Sequence, residues 1–394
     1  MKEKILRRRN KIFGLVFIIA VIAGIFFVLA KQDVSIYDEN ERNDALVISR
    51  QVEHIQTPEP VRAIYATGWT MGAQNDKGQF TNRERIFNLL DETELNAIVI
   101  DIKDYTGELS YPERIPDISD LLKEFHRRGV YVIGRVSVFQ DQSMVIKRPD
   151  LAVRRRDNGG VWRDKKGIAW LDPGAREVWE YVIDIARDAY ELGFDEINFD
   201  YIRFPSDGDM SNVKYAFYNS ASTTRSMQMK QFYAYLDRNL RQAGDETSDN
   251  IPISADLFGM TTINRDDLGI GQVLENALAH FDFVAPMVYP SHYPPNFNGW
   301  PNPNKVPYDI VNFSMQKAVA RADALDALSS TTASTTSRKL RPWLQDFQYG
   351  GTYGEAEVRA QKQAVYDSGL ISWMMWDPSV RYTRAALDMV TSMR

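Results

Sequence analysis

From Val61 onward the chain alternates between two hydrophobic periods. Short runs rich in β-branched and aromatic residues cover 61–69, 97–103, 130–139, 196–204, 252–258, 283–289, 341–347 and 371–376, and they predict eight strands. Amphipathic stretches separate them. Thr81-Asn82-Arg83-Glu84 reads as a capping box that opens the first helix. Residues 118–128 stop before Gly129 and 175–192 stop before Gly193, each glycine a natural C-cap. Residues 225–242, 272–281, 315–328, 355–367 and 383–393 supply the remaining helices. Eight strand–helix units predict an α/β fold, a (β/α)8 TIM barrel over 61–394. A doubly wound open sheet is the rival architecture. It is disfavoured because Gly68-Trp69-Thr70-Met71-Gly72 has the wrong spacing for a dinucleotide turn.

The first sixty residues follow another pattern. Ile12 to Ala30 contains no charge, and about 20 apolar residues cross a bilayer as a helix. The basic segment 1–11 before it is expected to stay cytoplasmic, which places the rest outside. The chain is therefore expected to carry one N-terminal transmembrane helix (12–30) in the lipid bilayer of the cell membrane. A polar tether (31–60) would join it to an extracytoplasmic barrel. A cleavable signal peptide is the competing reading, because Val28-Leu29-Ala30 offers small residues near a cut; the apolar run exceeds the usual ~7–15 residues of such a segment. Ser329 to Ser337 is low in complexity and reads as an insertion without function.

Composition narrows the chemistry. The chain lacks Cys, which removes thiolate nucleophiles, disulfides and Cys-held metals. Its four histidines are scattered, and neither a phosphate-binding GxxxxGK[ST] nor a GxSxG elbow is present. No metal or other cofactor is expected. Carboxylates remain, with 53 Asp plus Glu. Charge is also split. Through Lys31 the chain carries seven basic residues and one acid, so with −6 overall the remainder carries about −12. Such a domain does not suit nucleic acid; a neutral polymer suits it better.

Strand alternation then selects candidate residues. In Glu196-Ile197-Asn198-Phe199-Asp200 the apolar residues face the helices, so Asp200 points inward near the upper rim. An inward carboxylate is costly unless it is paired or functional. The same rule turns Asp101 and Lys103 inward on the second strand, Arg135 on the third and Asp256 on the fifth. Asp200 and Asp256 end adjacent strands and form a candidate catalytic pair. Arg135 is placed to keep Asp200 ionised. Asp346 and Asp377 are reserve acids with structural roles expected. Long loops follow the third, fourth and sixth strands on the face where barrels carry their sites. Residues 151–156 and 161–164 within the first suggest a hairpin. Trp170, Tyr201, Tyr289, Trp300 and Trp376 gather near that rim, where flat rings suit sugar faces. Asp172, Arg203, His292 and Gln345 add hydrogen-bonding groups.

The run Gly193-Phe194-Asp195-Glu196-Ile197-Asn198-Phe199-Asp200-Tyr201-Ile202-Arg203-Phe204-Pro205 resembles the signature of a glycoside hydrolase family first catalogued as a domain of unknown function. Tyr105-Thr106-Gly107, Gly134-Arg135-Val136, Trp170-Leu171-Asp172-Pro173 and Ala285-Pro286-Met287-Val288-Tyr289-Pro290-Ser291-His292-Tyr293 extend the resemblance over about residues 61–380. It implies a TIM barrel that acts on carbohydrate, commonly exported. In similar barrels the carboxylate ending strand four is the nucleophile and a nearby Glu is often the acid. This chain has Asp256 there instead. The expectation is a glycosidase cleaving an extracytoplasmic polysaccharide or oligosaccharide, with Asp200 as nucleophile and Asp256 as general acid/base. Asp101, Lys103, Arg135, Trp170, Asp172, Tyr201, Arg203, Tyr289, His292, Gln345 and Trp376 would bind the substrate. Two alternatives stay open. One is a cell-wall carbohydrate-binding barrel without catalysis. The other is a metal-assisted hydrolase using Asp101, Asp200 and Asp256 as ligands.

Overall fold

A computed structural model describes residues 52–241, 250–328 and 336–389. Eight strands close into a parallel barrel: β1 (Arg62–Ala66), β2 (Ala97–Lys103), β3 (Tyr131–Ser137), β4 (Glu196–Asp200), β5 (Ile253–Phe258), β6 (Phe283–Met287), β7 (Trp343–Gln345) and β8 (Trp373–Trp376). Each pairs with its chain neighbours, and β1 closes on β8 with Ala63 opposite Met374. Seven α-helices cover the crossovers: α1 (Arg83–Glu92), α2 (Ile118–Arg127), α3 (Arg176–Leu192), α4 (Arg225–Leu240), α5 (Leu274–Leu278), α6 (Pro307–Leu328) and α7 (Glu355–Asp367).

The predicted alternation divides the core in two. Ile98, Ile100, Ile197, Phe199, Ile253 and Leu257 face outward onto the helices. Ala63, Tyr65, Val99, Tyr131, Ile133, Trp343 and Met374 fill the barrel. Helix α3 buries Val178, Val182, Ile185, Ala186 and Ala189 along one stripe, and each large apolar side chain contributes about 1.5–3 kcal/mol. It ends at Gly193, whose φ of 115° is the left-handed conformation that glycine adopts freely.

Several boundaries differ from the sequence expectation. Strand β1 stops at Ala66, because Thr67 caps a short helix, Gly68–Gly72, by accepting from the Thr70 amide. Strand β4 stops at Asp200, where Tyr201 takes a positive φ. The capping box does not form: Asn82 is the N-cap of α1 and makes no side-chain cap bond. Helix α6 begins at Pro307, eight residues before its apolar period becomes regular. The last predicted helix is, as far as residue 389, only a 3-10 turn, Arg384–Ala386. The predicted hairpin forms through a single bridge, Arg154 to Val161, and Arg154–Arg155 of its first arm also pairs with Val213–Lys214 of the loop after β4.

Residues 53–60, expected as the end of a tether, pack on the barrel floor. His54 stacks on Tyr190 at 3.9 Å, the Ile55 amide donates to Asp195 Oδ1 at 2.8 Å, and Thr57 Oγ1 lies 2.9 Å from the Tyr131 hydroxyl. Tyr131 in turn donates to Glu196, which is paired with Arg341 at the bottom of the barrel. Residues 1–30, residues 31–51 of the expected tether, and 329–335 of the low-complexity segment lie outside the described residues. Among the described residues no helix is long and apolar enough to cross a membrane.

Candidate active site

The upper end of the barrel is built around one guanidinium. Arg135 Nη1 donates to Asp101 Oδ1 at 2.6 Å and Nη2 to Asp200 Oδ2 at 2.5 Å, while Nε lies 3.8 Å from Asp256 Oδ2. Register explains the grouping. Asp101 lies opposite Arg135 on β2 and β3, and Asp200 lies opposite Ser137, one inward step higher on β4. Burial works against the Arg135 charge, but Asp200 and Asp101, with Tyr65 and Asp256, hold its pKa well above the ordinary arginine value.

The carboxylates have different surroundings. Asp101 is buried, and Tyr65 donates to its Oδ2 at 2.5 Å. Burial raises its pKa, against the opposing effect of Arg135. Asp200 accepts from Arg135 and, through Oδ1, from the Tyr201 amide at 2.6 Å. The φ of 53° at Tyr201 is rare for a bulky residue, and such backbone strain collects at functional sites. Asp256 Oδ1 accepts from Trp343 Nε1 at 2.7 Å and from Asn198 Nδ2 at 3.0 Å. Oδ1 is thus saturated, and Oδ2 is the position for a proton. Burial first, and the charge of Asp200 second, push the Asp256 pKa up to about 7.

A cavity of about 430 Å³ opens above these groups, within the ~300–1,000 Å³ usual for ligand pockets. Eight sequence-predicted residues line it: Arg135, Asp200, Tyr201, Arg203, Asp256, Tyr289, His292 and Trp376. Arg203 donates to the Phe204 carbonyl and Ser206, and burial lowers its pKa. Burial, then Lys166, lowers the pKa of His292. Tyr289 and Trp376 stack with centroids 5.4 Å apart.

Five predicted substrate-binding residues do not line the cavity. Asp101 lies beneath it, behind Arg135. Lys103 is fully buried on an ion pair with Asp141 at 2.6 Å, because the β2–β3 register shifts between Asp101 and Lys103 and turns Lys103 away from the barrel mouth. Asp172 accepts the amides of Gly174, Ala216, Phe217 and Tyr218, so it ties two loops together. Trp170 is buried, with Nε1 donating to Asp164. Gln345 is spent on the Ser291 amide and the Phe347 carbonyl. Asp346 binds Thr383, and Asp377 accepts the amides of Ser379 and Arg381, as the expected structural roles require. Trp300 packs with Phe297 and Phe313 and does not line the cavity.

Sequence reasoning did not select Tyr65, Trp343, Lys166, Asp207, Phe258 or Met287, all of which line the cavity. Tyr65, Trp343 and Met287 occupy inward positions on their strands, so the same alternation rule would find them. Among the described residues no group of three or more His, Asp or Glu is arranged to hold a metal, and Arg135 sits between the three carboxylates that a metal would need.

A family model described as "Putative glycosyl hydrolase domain" matches residues 63–382. The chain belongs to this glycosyl hydrolase family. The family's description makes the protein a hydrolase. No curated protein matches this glycosyl hydrolase domain. A hypothetical protein from Ruminiclostridium thermocellum ATCC 27405 is 34% identical, covering 52% of this chain and 98% of its own, with a TM-score of 0.41. The glycoside hydrolase domain of PgaB (BpsB) from Bordetella bronchiseptica is 15% identical, covering 84% of this chain and 100% of its own, with a TM-score of 0.61. Alpha-L-fucosidase isoenzyme 2 from Paenibacillus thiaminolyticus is 16% identical, covering 83% of this chain and 47% of its own, with a TM-score of 0.54. The last two share the barrel fold with this domain.

Proposed function

We propose that the protein is a glycosidase that cleaves an extracytoplasmic polysaccharide, with Asp200 as nucleophile and Asp256 as general acid/base. One observation carries this reading: adjacent strand ends bring two carboxylates onto one guanidinium in an open cavity, in unlike environments. Asp200 is held in a close ion pair, and Asp256 is pushed to about 7. Divergent environments of this kind separate an anionic partner from a proton donor. In the first step Asp200 attacks the anomeric carbon while Asp256 delivers its proton from Oδ2 to the leaving oxygen. Asp256 then takes a proton from the water that releases the sugar. Arg135 fixes both acids and is itself held by Asp101 and Tyr65. Tyr201, Arg203, Tyr289, His292 and Trp376 surround the sugar.

Residues 12–30 serve in this proposal as a single membrane anchor, with the N-terminus cytoplasmic and the barrel outside. The test uses the purified full-length chain on a broad glycan panel. Release of reducing ends is expected, and Asp200→Asn should reduce it to background without lowering the melting temperature. Retained turnover in that variant would remove Asp200 from the nucleophile role. Binding without reducing-end release would identify a carbohydrate-binding barrel instead.

A further inference from the structure

The cavity above Asp200 and Asp256 does not end at its own wall. A second cavity, of about 830 Å³, adjoins it across the loops that follow β7 and β8, and Lys166, His292 and Trp376 line both. A series of rings joins them. Trp376 stacks on Tyr289 in the first cavity and meets Phe347 at 5.1 Å. Phe347 meets His292 at 6.2 Å, and His292 meets Tyr349 at 6.3 Å. Tyr349 ends the series with 64% of its surface exposed. An exposed ring on a loop is ordinary by itself. A ring that continues an aromatic wall out of a catalytic cavity, inside a second concavity, is not.

The second cavity also lacks what cutting requires. Its two carboxylates, Asp346 and Asp377, are taken up by Thr383 and by the Ser379 and Arg381 amides. Its free polar groups are the Lys166 and Arg381 side chains at the rim, neither in an ion pair among the described residues, and Nε2 of His292, whose Nδ1 lies 3.0 Å from the Ser291 hydroxyl. Burial and Lys166 lower the His292 pKa, and with Nδ1 engaged by Ser291 the neutral ring turns Nε2 to a sugar hydroxyl. Apolar rings flanked by hydrogen-bonding groups, without a free acid pair, suit a sugar that is held and not cleaved.

Building on the glycosidase reading above, we propose that the second cavity is a separate sugar-binding subsite, centred on Tyr349 and His292. The substrate is then a glycan chain that crosses the Trp376–His292 saddle, with the scissile linkage over Asp200 and Asp256 and a further unit against Tyr349. A lone terminal sugar fills only the first cavity. Tyr349 is a specificity determinant, remote from the reacting atoms.

The experiment compares the full-length chain with its Tyr349→Ala variant. The substrates are the dimer-to-hexamer series of the panel polysaccharide that releases reducing ends, and the 4-nitrophenyl glycoside of its monomer. In the unaltered protein kcat/KM should rise with oligomer length. Tyr349→Ala should lower kcat/KM on the longer oligomers roughly tenfold, through KM, the loss expected for one aromatic contact. It should leave the 4-nitrophenyl glycoside unchanged. A flat length dependence, or equal loss on both substrate types, would overturn the subsite while leaving the catalytic pair intact. If no glycan is cut, calorimetric titration of the panel oligomers into both proteins decides. Length-dependent affinity that Tyr349→Ala abolishes supports the subsite without catalysis, and affinity independent of length or absent rejects it.

Discussion

Asp256 takes its character from its neighbours. Trp343 and Asn198 occupy one oxygen, burial and Asp200 disfavour the charge, and the group titrates at about 7. If it is the proton donor, activity needs its protonated form, so kcat/KM should fall as pH rises through about 7. Asp256→Asn should cost about 10²–10⁴-fold in kcat and remove that alkaline limb in a pH–rate profile. An unchanged profile would place the titrating acid elsewhere. The same shift affects stability. An unfolded Asp titrates near ~3.9. Between there and about 7 the folded state binds more protons than the unfolded one, so this group lowers stability as pH climbs through that window. The carboxylates themselves were legible from residue type and alternation. Their differentiation was not, because it depends on Trp343, Asn198 and Tyr65, which are neighbours only after the barrel closes.

At the scale of elements, period-2 alternation placed Asp101, Arg135, Asp200 and Asp256 inward because β2 to β5 hold register up to their rims. It failed where the register breaks. Lys103 should share a face with Asp101, but the shift between them sets Lys103 opposite Val136, and it pairs under the loop with Asp141. Lys103→Met would leave Asp141 buried and uncompensated, at about 3–5 kcal/mol. Thermal unfolding should show that loss, with kcat unchanged below the transition. Replacing Asp141 by Leu as well should recover much of it. A variant that lost kcat at full stability would return Lys103 to the site. Helix starts were the other weak point. The first turn of α6 and the Gly68–Gly72 turn are specified by Pro307 and by the Thr67 cap, local signals that apolar periodicity does not carry.

Over the whole molecule the two ends of the barrel do opposite work. The mouth gathers acids about Arg135 beneath open space, and the floor is closed by Glu196, Arg341 and Tyr131. Residues 53–60 complete that floor. His54 and His126 lie at 3.5 and 3.0 Å from a single buried aspartate, Asp195, which also accepts the amides of Ile55 and Val132. The family match begins at residue 63, above all of these contacts. A chain begun at residue 61 would strip the lid from Asp195 and open the underside of Tyr131 to water. It should unfold about 2–4 kcal/mol more readily than one begun at residue 53, as denaturant titration would measure. Equal midpoints would make the segment an ornament. The cylinder is thus finished from below by eight residues that lie outside the family match, and a trimmed domain would carry an intact mouth on a leaking base.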